Sequence, residues 1–350
     1  MRRFPRGILA GMIILGAVAA APAPNLTGYP ISMAALGDSI TRAYNTGTLP
    51  FSDAPRNSWS TGTRSSSQTH YLRILDAEPA IFERNFNDAV SGAKMTDLGA
   101  QMTTVNERQV AYVTILMGAN DVCTRSVDGM TSVDRFRTQF EEAMAALTAG
   151  SPRARIFVAS IPNVYRLWII LKDNRLARAT WSAFDICQSL LEDPSSTDFD
   201  DVTRRRTVRQ RTIAFNAVLD QVCALYIHCR SDDGAVFDDQ FTSDDVSRLD
   251  YFHPSTEGQK RLARMTWTAT FDFTDKVAPI ATATVISVEG GLSVSLDATD
   301  DVGVAGIEYR CNLGPWQRYA APLFLAMGDN IRFRAVDVNG NIEATQSLTA

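Results

Sequence analysis

The chain has 350 residues and a formal net charge of −5 at pH 7, from 34 basic and 39 acidic side chains. This length is enough for two domains, each with its own hydrophobic core. Because the net charge is negative, no bulk electrostatic attraction to nucleic acid is expected, and we predict no nucleic-acid partner.

The N-terminus has the pattern of an export signal. Three arginines stand within residues 1–6, an apolar run covers residues 8–18, and small residues suited to cleavage follow at residues 19–23. The apolar run is too short to predict a membrane span. We therefore predict a signal peptide over residues 1–23 and a secreted, monomeric mature protein without a transmembrane anchor.

Strand-like and helical patterns alternate up to about residue 275. The strand-like runs cover residues 32–36, 112–117 and 155–160, and the helical patterns cover residues 69–75, 133–147 and 207–225. This alternation predicts a parallel sheet with helices on both faces, and such sheets bind ligands at the carboxyl ends of their strands. The basic residues of the run at 204–211 are predicted to form the solvated face of the last helix.

The remainder of the chain has an all-β pattern. Residues 282–288 and 292–296 alternate between apolar and polar around Gly290 and Gly291, which is typical of a hairpin turn. Two later runs alternate in the same way. We predict an α/β domain over residues 24–274, followed by a small β-sandwich domain over residues 275–350.

Export would place the five cysteines in an oxidising compartment. Cys223 and Cys229 are close enough to close a small loop, which leaves Cys123 with Cys187 as the preferred second bridge among the pairings that four cysteines allow. Cys311 is left over, and we expect it to be a buried thiol. No cysteine spacing resembles a zinc site, and we predict neither a metal nor an organic cofactor.

The chain has only three histidines, of which His253 is the best candidate for a catalytic base. His70 lies in a helical pattern, where a structural role is expected. His228 lies inside the predicted small disulfide loop, and we expect it at the surface. His253 follows Asp250 by three residues, so the carboxylate can reach the imidazole across a turn and hold its tautomer.

The remaining parts of an acyl-transfer site are a nucleophile and oxyanion donors. Ser39 follows a strand-like run, and its hydroxyl becomes a nucleophile when a base takes its proton. Candidate oxyanion donors are the backbone N–H groups of Ser39 and Gly92 and the side-chain amide of Asn120. Taken singly, these residues are more simply explained as a helix cap, a turn and a second cap, so the functional prediction depends on the whole set.

Four motifs together resemble the SGNH (GDSL) hydrolase family in order and approximate spacing. They are GDSIT at residues 37–41, SGA at 91–93, GAND at 118–121 and DYFHP at 250–254. Over about residues 30–270, the resemblance implies a three-layer α/β/α flavodoxin-like domain that hydrolyses esters or related acyl bonds. It implies that Ser39 is the nucleophile, His253 the base and Asp250 the third member of the triad. Ser39, Gly92 and Asn120 would form the oxyanion hole.

Two finer resemblances concern the substrate and the C-terminal segment. NSWSTG at residues 57–62 and IPNVYRLW at 161–168 resemble the secreted bacterial phospholipase B-like branch, which is associated with lipid esters. Trp59 and Trp168 are therefore candidate substrate-binding residues, with core or rim packing as the alternative. With DDVG at residues 300–303 and VDVNGN at 336–341, the C-terminal segment resembles immunoglobulin-like modules of secreted bacterial enzymes, which implies a cell-surface or polysaccharide ligand.

We therefore predict a secreted serine esterase or lipase that hydrolyses carboxylic esters, with lipid or phospholipid esters as substrates. A carbohydrate acetyl esterase is the alternative within the enzymes. A non-catalytic surface-binding or adhesive protein is the alternative of another class, and the intact motif set weighs against it. The polar segment at residues 46–67 is a candidate to line or cover the site.

Overall fold

A computed structural model describes residues 27–350 of the protein. The predicted signal peptide at residues 1–23 lies outside the described residues. Within residues 27–350, ten α-helices form: α1 His70–Ala77, α2 Leu98–Arg108, α3 Ala119–Val122, α4 Val133–Gly150, α5 Val164–Leu171, α6 Arg175–Ala183, α7 Gln188–Leu191, α8 Phe199–Cys223, α9 Ala235–Asp238 and α10 Thr256–Ala269.

Twelve strands form in the same part of the chain: β1 Met33–Gly37, β2 Asn85–Asn87, β3 Tyr112–Leu116, β4 Arg155–Val158, β5 Cys229–Ser231, β6 Ile280–Val288, β7 Gly291–Thr299, β8 Val304–Cys311, β9 Gln317–Arg318, β10 Leu323–Ala326, β11 Asn330–Asp337 and β12 Gln346–Thr349. Short 3-10 turns lie at Pro55–Asn57, Ser65–Ser67, Pro79–Ile81, Met95–Asp97, Val127–Gly129 and Ser243–Asp245. Across residues 27–350, no helix has both the length and the apolar character needed to cross a membrane.

Five parallel strands form the central sheet, in the order β2-β1-β3-β4-β5. Every residue of β1, β3 and β4 is buried, as expected for parallel strands covered on both faces. His70 on α1 is hydrogen-bonded to Thr266 on α10 at 2.8 Å, while α4 packs on α8 through the stacked rings of Phe136 and Phe215 at 3.9 Å. The predicted α/β domain with a parallel sheet is confirmed.

The C-terminal strands β6 to β12, here called the β-region, form two antiparallel sheets. Their orders are β10-β7-β6 and β12-β11-β8-β9. Strands β6 and β7 pair along their whole length, and Gly290 turns the chain between them with φ +81°. Apolar residues such as Val294, Ile331 and Phe333 are buried in a separate small core. The predicted all-β pattern and the hairpin are confirmed, while the immunoglobulin-like topology stays a prediction.

Two disulfides link Cys123 to Cys187 and Cys223 to Cys229, which is the preferred pairing. The first joins the end of α3 to the start of α7, and the second joins the end of α8 to the start of β5. Cys311 is a free thiol. It is half-buried rather than buried as predicted, because it is the last residue of β8 and packs at the margin of the small core.

The basic run at residues 204–211 is predicted to face solvent. This prediction is wrong for Arg205, which is only 2% exposed. Its guanidinium donates hydrogen bonds to the carbonyl oxygens of Asp193 and Ser196 at 3.3 and 2.5 Å. The segment before α8 folds back over the helix. Its backbone carbonyl oxygens bind the guanidinium of Arg205, which the helical pattern predicts to be hydrated by solvent. The helix also begins at Phe199, earlier than predicted.

The predicted surface position of His228 is also wrong, since only 5% of the residue is exposed. Its Nε2 lies 3.1 Å from Oε1 of Glu308 on β8, and Glu308 also pairs with Arg334 on β11 at 2.8 Å. The β-region therefore covers the small disulfide loop that contains His228. A local sequence pattern cannot indicate this contact between distant segments.

Arg155, the first residue of β4, joins the sheet to two other segments of the chain. Only 6% of it is exposed. It donates hydrogen bonds to the carbonyl oxygens of Gly28 and Gly340 and to Oδ1 of Asn341, at 2.6, 2.9 and 2.8 Å. These contacts place the β-region at the amino-terminal ends of the parallel strands, away from their carboxyl ends.

Replacing this clamp should lower stability. We expect Arg155→Ala to reduce the free energy of unfolding by about 3 kcal/mol, because three acceptors lose a charged donor. The shift in denaturant midpoint measures the loss. Arg84→Ala is the control, since Arg84 is exposed and its side chain has no hydrogen bond within residues 27–350. Equal midpoints for the two variants would contradict the role of Arg155.

Candidate active site

Ser39 lies at the carboxyl end of β1, just beyond Gly37. The backbone φ of Gly37 is +144°, and a Cβ there would stand 2.2 Å from the carbonyl oxygen of Leu116 on β3, so only glycine fits. Oδ1 of Asp38 accepts a hydrogen bond from the N–H of Ile40 at 2.9 Å and holds the turn. The local sequence thus presents the Ser39 side chain beyond the sheet edge.

Ser39, His253 and Asp250 form a continuous hydrogen-bonded chain. Nε2 of His253 lies 2.8 Å from Oγ of Ser39, and Nδ1 of His253 lies 2.7 Å from Oδ2 of Asp250. Tyr44 and Phe252 flank the imidazole, with ring centroids at 4.8 and 5.2 Å. The distances are those at which a base can take a hydroxyl proton while a carboxylate orients it.

Four N–H groups converge on the carboxylate of Asp250, which is 4% exposed. Oδ1 accepts from the backbone N–H groups of Phe252 and His253 at 3.0 and 3.1 Å. Oδ2 accepts from His253 Nδ1 and from Nδ2 of Asn45 at 2.5 Å. Burial alone would raise the pKa of Asp250, but the hydrogen bond and charge of His253, together with the backbone donors, hold this pKa below its ordinary value. The carboxylate therefore stays ionised beside the imidazole.

Sequence reasoning missed Asn45. It is 5% exposed, has a left-handed backbone with φ +61°, and accepts the N–H of Phe51 on its Oδ1 at 2.6 Å. Asn45 therefore links the predicted triad to the loop at residues 46–52. An asparagine in a polar segment indicates a turn in the sequence, and nothing there indicates a partner 205 positions away.

The predicted oxyanion donors have free N–H groups. In the part of the chain that the structure describes, no acceptor is hydrogen-bonded to the backbone N–H of Ser39 or Gly92. Gly92 has φ +84°, with open space where a Cβ would stand. Nδ2 of Asn120 donates one hydrogen to the carbonyl oxygen of Ala93 at 2.9 Å, which leaves its second hydrogen available.

The loop that carries Gly92 is tied to the end of β1. The N–H of Val90 donates to the carbonyl oxygen of Gly37 at 3.1 Å, and Oγ of Ser91 donates to Asp53 at 2.5 Å. Asn120 arrives from β3, which pairs with β1. The neighbouring strand ends and the Gly92 loop thus bring the three candidate donors together at the carboxyl ends of β1 and β3.

Asp38 is a second buried carboxyl group beside Ser39, and it has no predicted role. Its Oδ2 has no hydrogen-bond partner within residues 27–350. Burial raises the pKa of Asp38 to about 7, against the N–H of Ile40 and the positive charge of His253, which lower it. The rise in pKa reflects the burial of this carboxyl group, whose Oδ1 accepts a hydrogen bond from the N–H of Ile40.

An apolar cavity opens from the hydrogen-bonded chain. Ser39, Asn120 and His253 line it, together with the charged residues Asp239, Asp245 and Arg261. Helices α5, α9 and α10 supply apolar walls: Val164, Leu167, Val236, Leu262 and Met265. Its volume of 80 Å³ is several times the roughly 10–15 Å³ that one water molecule needs. A hydrocarbon chain of several carbons fits such walls better than a polar group does.

Neither predicted substrate-binding tryptophan lines this cavity. Trp59 is fully buried, its Nε1 lies 3.3 Å from Oγ1 of Thr41, and its ring packs edge-on against His70. Trp168 is half-buried and donates to the carbonyl oxygen of Pro194 at 2.7 Å. These positions correspond to the packing alternative and do not support substrate contact, because both indoles are already occupied within the fold.

His70 has the structural surroundings expected of it. It is fully buried, with Nδ1 2.9 Å from the hydroxyl of Tyr112 and Nε2 2.8 Å from that of Thr266. Burial, aided by the charge of Arg73, lowers the pKa of His70 to about 3, so the ring stays neutral. Within residues 27–350, no cluster of three or more histidine, cysteine or acidic residues is placed to hold a metal ion.

Several solved structures resemble the chain at low identity. An α/β hydrolase from the metagenome of Lake Arreo, Spain, is 17% identical with a TM-score of 0.42, covering 69% of this chain and 95% of that one. An acetyl xylan esterase from Geobacillus stearothermophilus is 17% identical with a TM-score of 0.41, covering 72% and 97%. An extracellular lipase from Streptomyces rimosus is 19% identical with a TM-score of 0.38, covering 68% and 99%. A comparison with curated proteins found no match.

A family model gives a more specific assignment. The model described as GDSL-like Lipase/Acylhydrolase matches residues 33–265. The match runs from β1 into α10 and contains the four motifs from which the family was predicted. The chain therefore belongs to the GDSL-like lipase/acylhydrolase family of ester-hydrolysing enzymes.

Proposed function

We propose that the protein is a secreted serine esterase that hydrolyses lipid or phospholipid esters through an acyl-enzyme on Ser39. The observation that carries the proposal is the hydrogen-bonded chain from Ser39 through His253 to Asp250, whose Ser39 and His253 line an apolar cavity. The first feature supplies ester hydrolysis, and the second supplies a place for a hydrocarbon acyl chain.

The acylation step uses the bond between Ser39 and His253. Nε2 of His253 takes the Oγ proton as Oγ attacks the ester carbonyl carbon, and the carbonyl oxygen becomes an oxyanion. The N–H groups of Ser39, Gly92 and Asn120 stabilise this oxyanion. The imidazolium, held by the Asp250 carboxylate, then gives its proton to the leaving alcohol as the ester bond breaks.

Deacylation uses the same groups in reverse. His253 takes a proton from a water molecule, whose oxygen attacks the acyl carbon on Ser39. The tetrahedral intermediate collapses, Oγ leaves with the proton from the imidazolium, and the free acid departs. No step requires a group beyond this chain, the ester and water.

The cavity favours a lipid ester over the alternatives. An acetyl group has one methyl carbon with which to use the apolar walls on α5, α9 and α10, whereas a longer acyl chain can contact all three helices. A non-catalytic adhesive protein would have no need of a serine hydroxyl 2.8 Å from a histidine oriented by a carboxylate. Both alternatives therefore explain fewer features of the site.

Secretion and domain division complete the proposal. Two disulfides fit an oxidising compartment, in line with a signal peptide at residues 1–23. We propose a hydrolase domain at residues 24–274 and an immunoglobulin-like domain at residues 275–350 that binds a cell surface or polysaccharide. Because the β-region packs at the sheet edge opposite Ser39, its ligand would position the enzyme without entering the active site.

Acyl-chain profiling tests the proposed substrate class. The wild-type protein and Ser39→Ala are assayed with p-nitrophenyl esters from acetyl to dodecanoyl and with micellar phosphatidylcholine. We expect hydrolysis of medium-chain esters and release of fatty acid from the phospholipid by the wild type alone. Activity on short esters without any fatty-acid release would exclude the lipid assignment.

The triad assignment predicts unequal losses for its two supporting members. We expect His253→Ala to lower kcat by about 10⁶-fold and Asp250→Asn by a smaller factor, about 10⁴-fold, because the asparagine amide donates to Nδ1 and favours the wrong imidazole tautomer but leaves the ring in place. Steady-state kinetics on a dissolved ester measure both. Equal losses in the two variants would contradict this division of roles.

Asn45 is predicted to act by positioning Asp250. Asn45→Asp keeps the size and the left-handed tolerance of asparagine but replaces the donor with a like charge. We expect kcat to fall about 10- to 100-fold, since a hydrogen bond to a charged group contributes about 1.5–3 kcal/mol. The added charge should raise the pKa of Asp250, so activity is lost at a higher pH on acidification than in the wild type.

The pH–rate profile of Asn45→Asp is compared with that of Asn85→Asp. The Asn85 side chain donates to the carbonyl oxygen of Thr61 at 2.8 Å and does not contact the triad. This control should retain the wild-type profile. An unshifted profile for Asn45→Asp would show that Asn45 does not act on Asp250.

The cavity predicts a change in chain-length preference. Leu167 on α5 lines the cavity and is 4% exposed. We expect Leu167→Trp to fill the cavity and lower kcat/KM for octanoyl relative to acetyl esters by at least about tenfold. Ile169→Trp on the same helix is the control, because Ile169 is 47% exposed and outside the cavity lining. An unchanged ratio in Leu167→Trp would place the acyl chain elsewhere.

A further inference from the structure

Four large apolar side chains form an exposed group beside the active site. The rings of Phe51 and Phe184 contact each other at 5.6 Å, although 50% and 61% of these residues are exposed. Leu49 lies on the loop of Phe51 and is 69% exposed, and Leu176 lies on the helix that ends beside Phe184 and is 66% exposed. We call these four residues the apolar patch. Single exposed apolar residues are ordinary, but two exposed rings in contact, with exposed leucines on the same two segments, indicate an interaction surface.

Both halves of the apolar patch are held by the active site. The N–H of Phe51 donates to Asn45, whose amide donates to Asp250. On the other half, Nε1 of Trp181 on α6 donates to the carbonyl oxygen of Tyr251 at 3.0 Å. Each half is thus fixed to the segment at residues 250–253, which carries His253 of the cavity lining.

Helix α6 exposes a leucine beside a basic residue. Ala177 and Trp181 are fully buried on its inner side. Leu176 and Ala183 lie seven residues apart on its outer side, where Arg175 is also exposed. The outer side of the helix therefore combines apolar and basic character.

The charges around the apolar patch favour an anionic partner. Arg175 is exposed, Arg178 is half-buried, and neither forms an ion pair within residues 27–350. The neighbouring acids are paired: Asp53 with Arg42 at 2.9 Å, Asp173 with Lys172 at 3.6 Å, and Asp185 with Arg125 at 3.7 Å. The two arginines of α6 therefore supply the uncompensated charge, and it is positive.

We propose that the protein docks on phospholipid surfaces that contain anionic headgroups, through the apolar patch and the two arginines of α6. The apolar side chains enter the boundary between headgroups and acyl chains, while Arg175 and Arg178 contact phosphate groups. The inference rests on the proposed lipid-ester function. Docking at this place presents the cavity to the ester bonds of the same surface.

The charge of the patch distinguishes a lipid surface from a second copy of the chain. Its four side chains expose on the order of 500 Å² in total, which is close to the apolar share of the about 800 Å² that a stable protein interface buries on each partner, so size alone does not decide. A twofold dimer through this patch would bring the arginines of both copies together, and like charges oppose that pairing. The positive charge therefore favours an anionic membrane over a dimer.

Vesicle co-sedimentation tests the docking surface apart from catalysis. The full chain with Ser39→Ala is mixed with vesicles of equal parts phosphatidylcholine and phosphatidylglycerol, or of phosphatidylcholine alone. We expect tighter binding to the mixed vesicles, weakened by salt. Adding Leu176→Ser and Phe184→Ser should lower the partition constant at least about tenfold. Adding Arg175→Gln and Arg178→Gln should lower it roughly fivefold per arginine on the mixed vesicles only.

The matched control replaces a leucine and a phenylalanine of similar exposure elsewhere. Leu313 is 93% exposed in the β-region, and Phe82 is 62% exposed just before β2, at the sheet edge opposite Ser39. Leu313→Ser with Phe82→Ser should bind vesicles as the parent does. Equal losses from both pairs, or none from Leu176→Ser with Phe184→Ser, would overturn the proposed surface.

A second measurement separates this inference from the proposed function. In this measurement Ser39 is kept. The double variant Leu176→Ser with Phe184→Ser should hydrolyse a dissolved short ester as the wild type does, while its activity on mixed vesicles falls. Wild-type hydrolysis of dissolved and micellar esters without vesicle binding would remove the docking proposal and leave the enzyme function intact. Loss of a dimer in light scattering, in place of lost vesicle binding, would identify a second copy of the chain as the partner.

Discussion

The geometry of the candidate active site depends on the hydrogen bonds to the buried carboxylate of Asp250. Four N–H groups satisfy its two oxygens, and they come from its own turn, from the imidazole of His253 and from Asn45. An ionised group this buried is stable only with such partners. Satisfying it fixes the ring of His253 and closes the loop at residues 46–52. The geometry at Ser39 and the position of Phe51 on the surface therefore share one cause.

The parallel sheet supplies the second constraint. Because β1 and β3 are neighbours and end at the same edge, Ser39 and Asn120 reach the same place without any long loop. The close approach of these two strand ends is possible since residue 37 is glycine. The β-region lies at the amino-terminal ends of the strands, where Arg155 donates hydrogen bonds to it. The candidate active site and the β-region thus lie at opposite ends of the parallel strands.

The sequence was sufficient for features that repeat locally or stand in short motifs. Buried strands, the change to an all-β pattern and the family motifs around Ser39 and His253 all have such signals, whereas the bridge from Cys123 to Cys187 is reached only by preference among the possible pairings. The sequence was insufficient where a contact joins distant segments. Asn45 meets Asp250 across 205 positions, and Arg205 is covered by carbonyl groups that no helical periodicity shows. Trp59 shows the converse limit, because a tryptophan near a motif has the same sequence signal in a core as in a pocket.

Trapping the acyl-enzyme is the most direct measurement of the central claim, that Ser39 carries the acyl group. The protein is mixed with a medium-chain p-nitrophenyl ester, quenched in acid within the first turnover, and examined by intact-mass and peptide mass spectrometry. We expect one added acyl group, on the peptide that contains Ser39, and none when His253 is replaced by alanine. Hydrolysis without an adduct, or an adduct on another residue, would contradict a mechanism that proceeds through Ser39.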